Sequence, residues 1–326
     1  MKIRADSWAE NLHFVCLVYF VVKNSGCYGT TKRMNDLLIK GHLKGLDIAF
    51  SYAVTTKTVN EIVLLHDCDP SAAHILGRAL TGALLSAAVL SEGQRLNVCW
   101  KYQGTLRTVL VDAGQDGTVR GFISPAQLNL TENDPNALYG ELGDLQVVTS
   151  NRDGRVLNSG TAPVPLHDVA KDLAYTHCIS DQVETGLNVM IGFNADPENP
   201  VRFCQGWMLQ ALPGTDIERF DRIRSRMDEP AFRKQLGRET TVEALAESLI
   251  GGESGFTGLH MEPGPAPRFF CPCNRKKMEA VVRTLPIPER MELVQKKEPV
   301  RINCQFCNRH YELSIDECIA AWNRKS

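Results

Sequence analysis

The sequence predicts an α+β protein in three parts: an N-terminal antiparallel-sheet domain with packed helices, a helical linker, and a small C-terminal domain gathered around four cysteines. Three observations predict it. Short β-branched runs separated by Asp-Gly turns occupy much of residues 49–212. After Pro213-Gly214 the composition shifts to dense mixed charge with weak apolar spacing. Near the C-terminus, Cys271 and Cys273 are followed by Cys304 and Cys307.

The chain has 326 residues, enough for roughly two domains at about 150 residues each. Residues 1–34 read as an N-terminal extension, with Met34 opening the domain proper. Its apolar run at 12–22 is too short to span a bilayer, and no clear cleavage site follows it. Residues 35–212 form the predicted α+β core domain. Ala49 to Thr56 and Thr58 to Leu65 read as strands because both are rich in β-branched residues. Asp69-Pro70-Ser71 marks a helix start. The helix over Ala72 to Leu90 is apolar on every face and therefore buried, with Gly93 as its stop. A meander follows over Arg95 to Tyr102, Leu106 to Asp112 and Thr118 to Ser124, turning at Asp116-Gly117. Leu145 to Ser150 and Arg155 to Ser159 flank a second turn at Asp153-Gly154. Leu166 to Cys178 has helical spacing, and Leu187 to Phe193 and Val201 to Leu212 read as strands.

Residues 213–258 are predicted to be a charged linker of short helices, one of them Val242 to Ile250 capped by Thr241. Such helices bury little alone, so the linker is expected to be metastable unless it docks on something. The C-terminal domain spans 259–326. It is predicted to hold helices near Lys276 to Thr284 and Glu289 to Leu293, strands near Val300 to Asn303 and His310 to Leu313, and a last helix opened by a Ser314/Glu317 capping box.

The net charge is −2, without the basic excess of a nucleic-acid-binding domain, so neither nucleic acid nor membrane is an expected partner. Eleven cysteines, seven of them scattered, fit a reducing compartment better than a secreted disulfide scaffold, and a cytoplasmic location is expected.

Cys271, Cys273, Cys304 and Cys307 have the paired spacing of a tetrahedral Zn2+ site, one ion per chain in the reduced form. A block this short has too small a core to fold unaided, so metal binding would supply folding energy. Four thiolates fill a tetrahedron, which leaves His260 and His310 as weaker candidates and no open position for catalysis. Arg268, Arg275, Lys276, Lys277, Arg301 and Arg309 could offset the negative charge of the site. Spacing alone is compatible with an architectural zinc ribbon that mediates protein or nucleic-acid interaction. The CxC pair tilts the reading toward a labile, oxidation-sensitive site, because a bridge between i and i+2 closes a strained ring. Oxidising both pairs would eject the metal and unfold the small domain.

No catalytic residue is expected and the chain is not read as an enzyme. His66-Asp67-Cys68 and His167-Asp168 lack a supporting motif, and the glycines of 251–258 do not form a phosphate loop. The scattered cysteines read as small buried hydrophobes, with Cys318 close enough in sequence to the cluster to risk a wrong disulfide.

From residue 35 onward the chain resembles the 33 kDa heat-shock chaperonin family of redox-regulated holdases. The resemblance rests on the small-residue helix at Gly77 to Ala88, on Gly117-Thr118-Val119-Arg120-Gly121, on Ser180-Asp181-Gln182 and on Gln210-Ala211-Leu212-Pro213. It is most specific at Phe270-Cys271-Pro272-Cys273-Asn274-Arg275, Cys304-Gln305-Phe306-Cys307 and Tyr311. The chain departs from the family in having Asp181 where Glu is usual and Gln205-Gly206 where paired glycines are common. The resemblance implies a reduced, zinc-bound, inactive form. Oxidation would join Cys271 to Cys273 and Cys304 to Cys307, release zinc, unfold the linker and expose a surface that holds unfolding client proteins without ATP. The oxidised form would be a homodimer. The client surface is expected on the sheet face that the linker covers.

Overall fold

The computed structural model describes residues 35–130, 134–238 and 240–324. The expected extension at 1–34 lies outside them. The described residues form two compact units, divided after Phe269. Among the described residues no helix is long and apolar enough to cross a membrane.

The first unit begins with β1 (Leu37–Lys44), β2 (Ile48–Val54), α1 (Thr56–Leu65) and α2 (Pro70–Ala87). Strands β3 (Arg95–Tyr102), β4 (Thr108–Gly114) and β5 (Thr118–Ser124) form the expected meander. Then come α3 (Pro135–Tyr139), β6 (Gly143–Ser150), β7 (Val156–Pro163), α4 (Val169–Ser180), β8 (Thr185–Phe193) and β9 (Val201–Ala211). The linker supplies α5 (Ile217–Arg226), α6 (Pro230–Leu236) and α7 (Val242–Ile250), and β10 (Gly258–Pro263) and β11 (Arg268–Phe269) close the unit. One sheet has the order β10-β1-β2-β9-β8, the other β11-β5-β4-β3-β6-β7. All pairings are antiparallel except β11 on β5.

Helix α2 is buried nearly all round, as its sequence requires. Asp69 caps it through Ala72 N at 2.7 Å, and the other carboxylate oxygen accepts from Leu128 N and Asn129 N. The helix packs against both sheets where glycine permits close approach. A Cβ on Gly206 of β9 would lie 2.8 Å from Leu85, and one on Gly121 of β5 would lie 3.0 Å from Leu80. The helix ends at Ala87, and Gly93 takes a left-handed φ of 77° in the following turn.

The five-stranded sheet is buried on both faces, which explains the near-continuous apolar run of β2. Ala53 and Met208 face the core that holds α2. Phe50, Tyr52, Trp207 and Leu209 face the opposite way, into a second cluster completed by Phe220 and Ile223 of α5, Phe232 and Leu236 of α6, and Leu245 and Leu249 of α7. The linker helices thus bury apolar residues on an aromatic sheet face. Phe50 stacks on Trp207 at 5.0 Å between ring centroids. Thr241 caps α7 as expected.

Two expectations need correction. Residues 58–65 are part of α1 and not a strand. Val59, Ile62 and Val63 are buried at helical spacing, and that tertiary packing overrides the β preference of branched side chains. The division between the units falls after Phe269 and not at 258/259. Residues 258–263 add a strand to the edge of β1, and Arg268 and Phe269 pair with Thr118 and Val119. These pairings join residues far apart in sequence. Strand β1, to which the sequence reading assigns no element, pairs with β2 in a hairpin that turns at Gly45 and with β10 across more than two hundred residues.

Candidate metal centre

The second unit contains α8 (Arg275–Arg283), α9 (Ile287–Lys296), β12 (Val300–Asn303), β13 (His310–Leu313) and α10 (Ile315–Asn323). Its core is small. Met278 and Val282 of α8, Leu313 of β13, and Cys318 and Ala321 of α10 are its buried apolar residues outside the four paired cysteines. Trp322 ties two helices together by donating Nε1–H to the Val282 carbonyl at 2.9 Å. The Ser314/Glu317 capping box forms, and Arg275 reaches Glu317 at 2.6 Å. A core of this size cannot offset the chain entropy of the unit without a cross-link.

The two cysteine pairs sit where local structure aims them at one another. Cys304 and Cys307 occupy the tip of the β12–β13 hairpin. There the Cys307 and Asn308 amides both donate to the Cys304 carbonyl, at 3.3 and 2.8 Å. Asn308 takes the left-handed conformation that closes this knuckle, at φ 51°. Cys271 and Cys273 lie just before α8, whose N-cap Asn274 accepts from Lys277 N at 3.0 Å. A thiolate there gains from the positive end of the helix.

All four sulfurs lie within 4.8 Å of one another. Cys271 Sγ is 3.7 Å from Cys304 Sγ, and Cys273 Sγ is 3.2 Å from Cys307 Sγ. Metal–sulfur bonds of about 2.3 Å in a tetrahedron place sulfurs about 3.8 Å apart, so the cluster fits an ion with little adjustment. Electrostatics ask for one. Burial disfavours the Cys273 thiolate, yet hydrogen bonds from Tyr311 and the neighbouring thiols outweigh it and bring that thiol down to about 7. Burial pushes Cys307 up to about 12 and also raises Cys304. Four sulfurs this close cannot all ionise side by side without a cation. They could hold a metal ion.

Of the basic residues expected to offset the site, Arg309 meets it. Its guanidinium is held protonated by Tyr311 and by the Cys273 and Cys307 sulfurs. Arg275 and Arg301 pair with Glu317 and Glu312, and in the first unit Arg268 pairs with Asp116. His310 bonds Asn303 at 2.6 Å and is outside the cluster, as is His260, which bonds Glu262 in the first unit. Cys318 is fully buried, and burial raises its thiol pKa. The role sequence reasoning missed belongs to Tyr311, whose hydroxyl donates to Cys273 Sγ at 3.2 Å. The alternation of β13, with Tyr311 and Leu313 turned inward, was the available signal.

In the first unit, Cys68 is buried and its thiol pushed up by burial beside Asp69 and Asp67. Asp168 caps α4 and pairs with Arg78 at 2.8 Å, which gives it a structural role. Arg120 clasps the buried Asp112 at 2.7 Å while Arg95 takes its other oxygen at 2.9 Å, so a three-strand ion cluster underlies the Gly117–Gly121 motif.

Comparison with known proteins agrees along most of the chain. The sequence family described as Hsp33 protein matches residues 36–314. The chain is 30% identical over 292 residues to the 33 kDa chaperonin of Geobacter sulfurreducens, covering 88% of this chain and 95% of that one. It is 29% identical over 293 residues to the 33 kDa chaperonin of Clostridium botulinum (strain Langeland), covering 87% and 96%. Its fold is similar to the crystal structure of the 33 kDa chaperonin (heat shock protein 33 homolog) of Thermotoga maritima. The TM-score is 0.71 at 22% identity, over 89% of this chain and 98% of that one.

Proposed function

We propose a function from the premise that the chain belongs to the Hsp33 protein family: it is a chaperone, and more specifically a redox-regulated, ATP-independent holdase. The observation that carries the finer reading is the cover on the aromatic sheet face. Helices α5, α6 and α7 are short, α5 is densely charged, and all three are held down by apolar anchors over Phe50, Tyr52, Trp207 and Leu209. Loss of the cover exposes a contiguous apolar surface, which is what an unfolding client would bind. The charged linker keeps that open state soluble.

The switch is assigned to Cys271, Cys273, Cys304 and Cys307, with Zn2+ as the ion. Four soft thiolates in a tetrahedral cluster select a soft or borderline metal, and bound zinc would neutralise the thiolates and cross-link the unit. Oxidation by two equivalents of peroxide would join Cys271 to Cys273 and Cys304 to Cys307, the four electrons passing to peroxide, so that four thiolate donors become two disulfides and the metal is released. The second unit would then lose its main cross-link. The chain leading to Cys271 includes β11, a two-residue strand that offers little resistance to further unravelling toward the linker. In the oxidised state the same exposed face would support a homodimer. A cytoplasmic location fits a switch that must rest in the thiol form.

The test is zinc content, free-thiol count and suppression of client aggregation, before and after mild peroxide with warming. Release of one zinc, loss of four thiols and onset of suppression together support the holdase. Zinc that stays bound while suppression is absent leaves an architectural centre and sinks the redox reading.

A further inference from the structure

A Ser–His–Asp relay lies in the first unit. Ser86, at the last turn of α2, has its Oγ 2.9 Å from His177 Nε2. His177 Nδ1 is 2.7 Å from a carboxylate oxygen of Asp181, the C-cap of α4. Hydrogen-bond chemistry orients the chain. A carboxylate only accepts, so Nδ1 carries the proton, and Nε2 of the neutral ring can accept from the serine hydroxyl, which also lies 3.7 Å from Met208 Sδ. Both Ser86 and His177 are buried, while Asp181 is a third exposed.

Two other buried helical hydroxyls bond the carbonyl one turn back. Thr81 bonds the Gly77 carbonyl at 2.8 Å, and Thr176 bonds the Asp172 carbonyl at 2.8 Å. Ser86 instead reaches a different helix. It also lines a cavity of about 470 Å3, together with His177 and Asp181. Apolar side chains of Val89, Leu90 and Leu157 form part of the wall, and the amides of Gln94, Asn158 and Gln210 stand in the same lining. Ligand sites commonly have this size and this mixture of apolar wall and few polar groups.

We propose that Ser86 is a nucleophile, His177 its general base and Asp181 a positioning residue, and that the cavity accepts a short-chain acyl ester. The Ser86 Oγ adds to the ester carbonyl carbon as its proton passes to His177 Nε2. The carbon–oxygen bond to the alcohol breaks, and the alcohol leaves with that proton. Water then adds to the acyl-serine, giving its proton to His177, and the carboxylic acid leaves as Ser86 recovers its own. The apolar wall takes the acyl chain. This activity is independent of the metal centre.

The test uses the full-length, reduced, zinc-loaded protein and a fluorophosphonate probe, whose fluoride leaves as Ser86 Oγ bonds to phosphorus. The adduct is mapped by peptide mass spectrometry, with hydrolysis of p-nitrophenyl butyrate as a second readout. The expected result is an adduct on Ser86 that is absent from Ser86→Ala. Labelling should fall about 100-fold or more in Asp181→Asn and be largely restored in Asp181→Glu. Ser86→Ala should fold, since alanine favours a helix. Unchanged melting and zinc content verify this, and the Asp181 pair carries the test if they change. No adduct, an adduct elsewhere, or labelling indifferent to Asp181→Asn overturns the proposal and leaves the relay as buried polar packing.

Discussion

The hydroxyl of Tyr311 donates a hydrogen bond to Cys273 Sγ at 3.2 Å, so a strand residue holds the sulfur that most readily ionises. Outer hydrogen bonds of this kind orient a ligand and stabilise its charged form. Tyr311→Phe keeps the ring and removes the donor. Zinc affinity should drop about 10- to 100-fold, measured by competition with a chromophoric chelator, and peroxide should release zinc faster. An affinity equal to that of the unaltered chain would make the bond incidental.

Removing two of the four donors should remove the fold of the second unit. Cys304→Ser/Cys307→Ser should bind no zinc, and residues 270–326 should become protease-sensitive while the first unit keeps its melting transition. Excess chelator should do the same to the unaltered chain. A variant that stayed fully switchable by peroxide would refute the assignment of the site.

The sulfur cluster brings every pair of cysteines within reach, so proximity alone does not choose the disulfides. The proposed switch joins Cys271 to Cys273 and Cys304 to Cys307. Peptide mapping after oxidation should recover those two bridges. A dominant Cys273–Cys307 bridge, between sulfurs 3.2 Å apart, would mean a different oxidised state and a different release step.

Phe220 is fully buried and pins α5 to the aromatic sheet face. Phe220→Ala should destabilise that docking by about 3–5 kcal/mol. The linker should then be cleaved by protease near 217–250 without oxidant, and the reduced protein should suppress client aggregation. If the linker opens and no suppression follows, the client surface lies elsewhere.

Asp172 is fully buried, and burial raises its carboxyl pKa to about 6. Between its ordinary value and about 6, the folded state binds more protons than the unfolded one. Its contribution to stability is therefore fully present below the ordinary carboxyl range and is lost as pH rises through about 6, by at most about 1.4 kcal/mol per pH unit. Denaturant unfolding of the unaltered chain and Asp172→Asn should show the unaltered chain gaining on the variant as pH falls from 7 to 5. Parallel pH curves would show that the carboxyl titrates normally.

Much of this molecule was legible from short stretches of chain, because the chemistry that sets them is local. Thr241 and Ser314 cap their helices through bonds to amides three residues on, and Gly117 and Gly154 turn their hairpins with positive φ. The spacing of Cys271, Cys273, Cys304 and Cys307 identified a common site without any view of it, since a pair on a turn can serve only one side of a metal. Tertiary structure decided the rest. Val59, Ile62 and Val63 became one face of a helix because a core stood ready to bury them. Strand β10 is defined by its pairing with β1 across more than two hundred residues, which no local pattern encodes. The burial of α5 to α7 on Phe50 and Trp207, and the meeting of Ser86 with His177, likewise depend on which surfaces the topology brings together. Local hydrogen-bonding chemistry is written within a turn or two of chain, whereas burial is a property of partners that only the folded chain supplies.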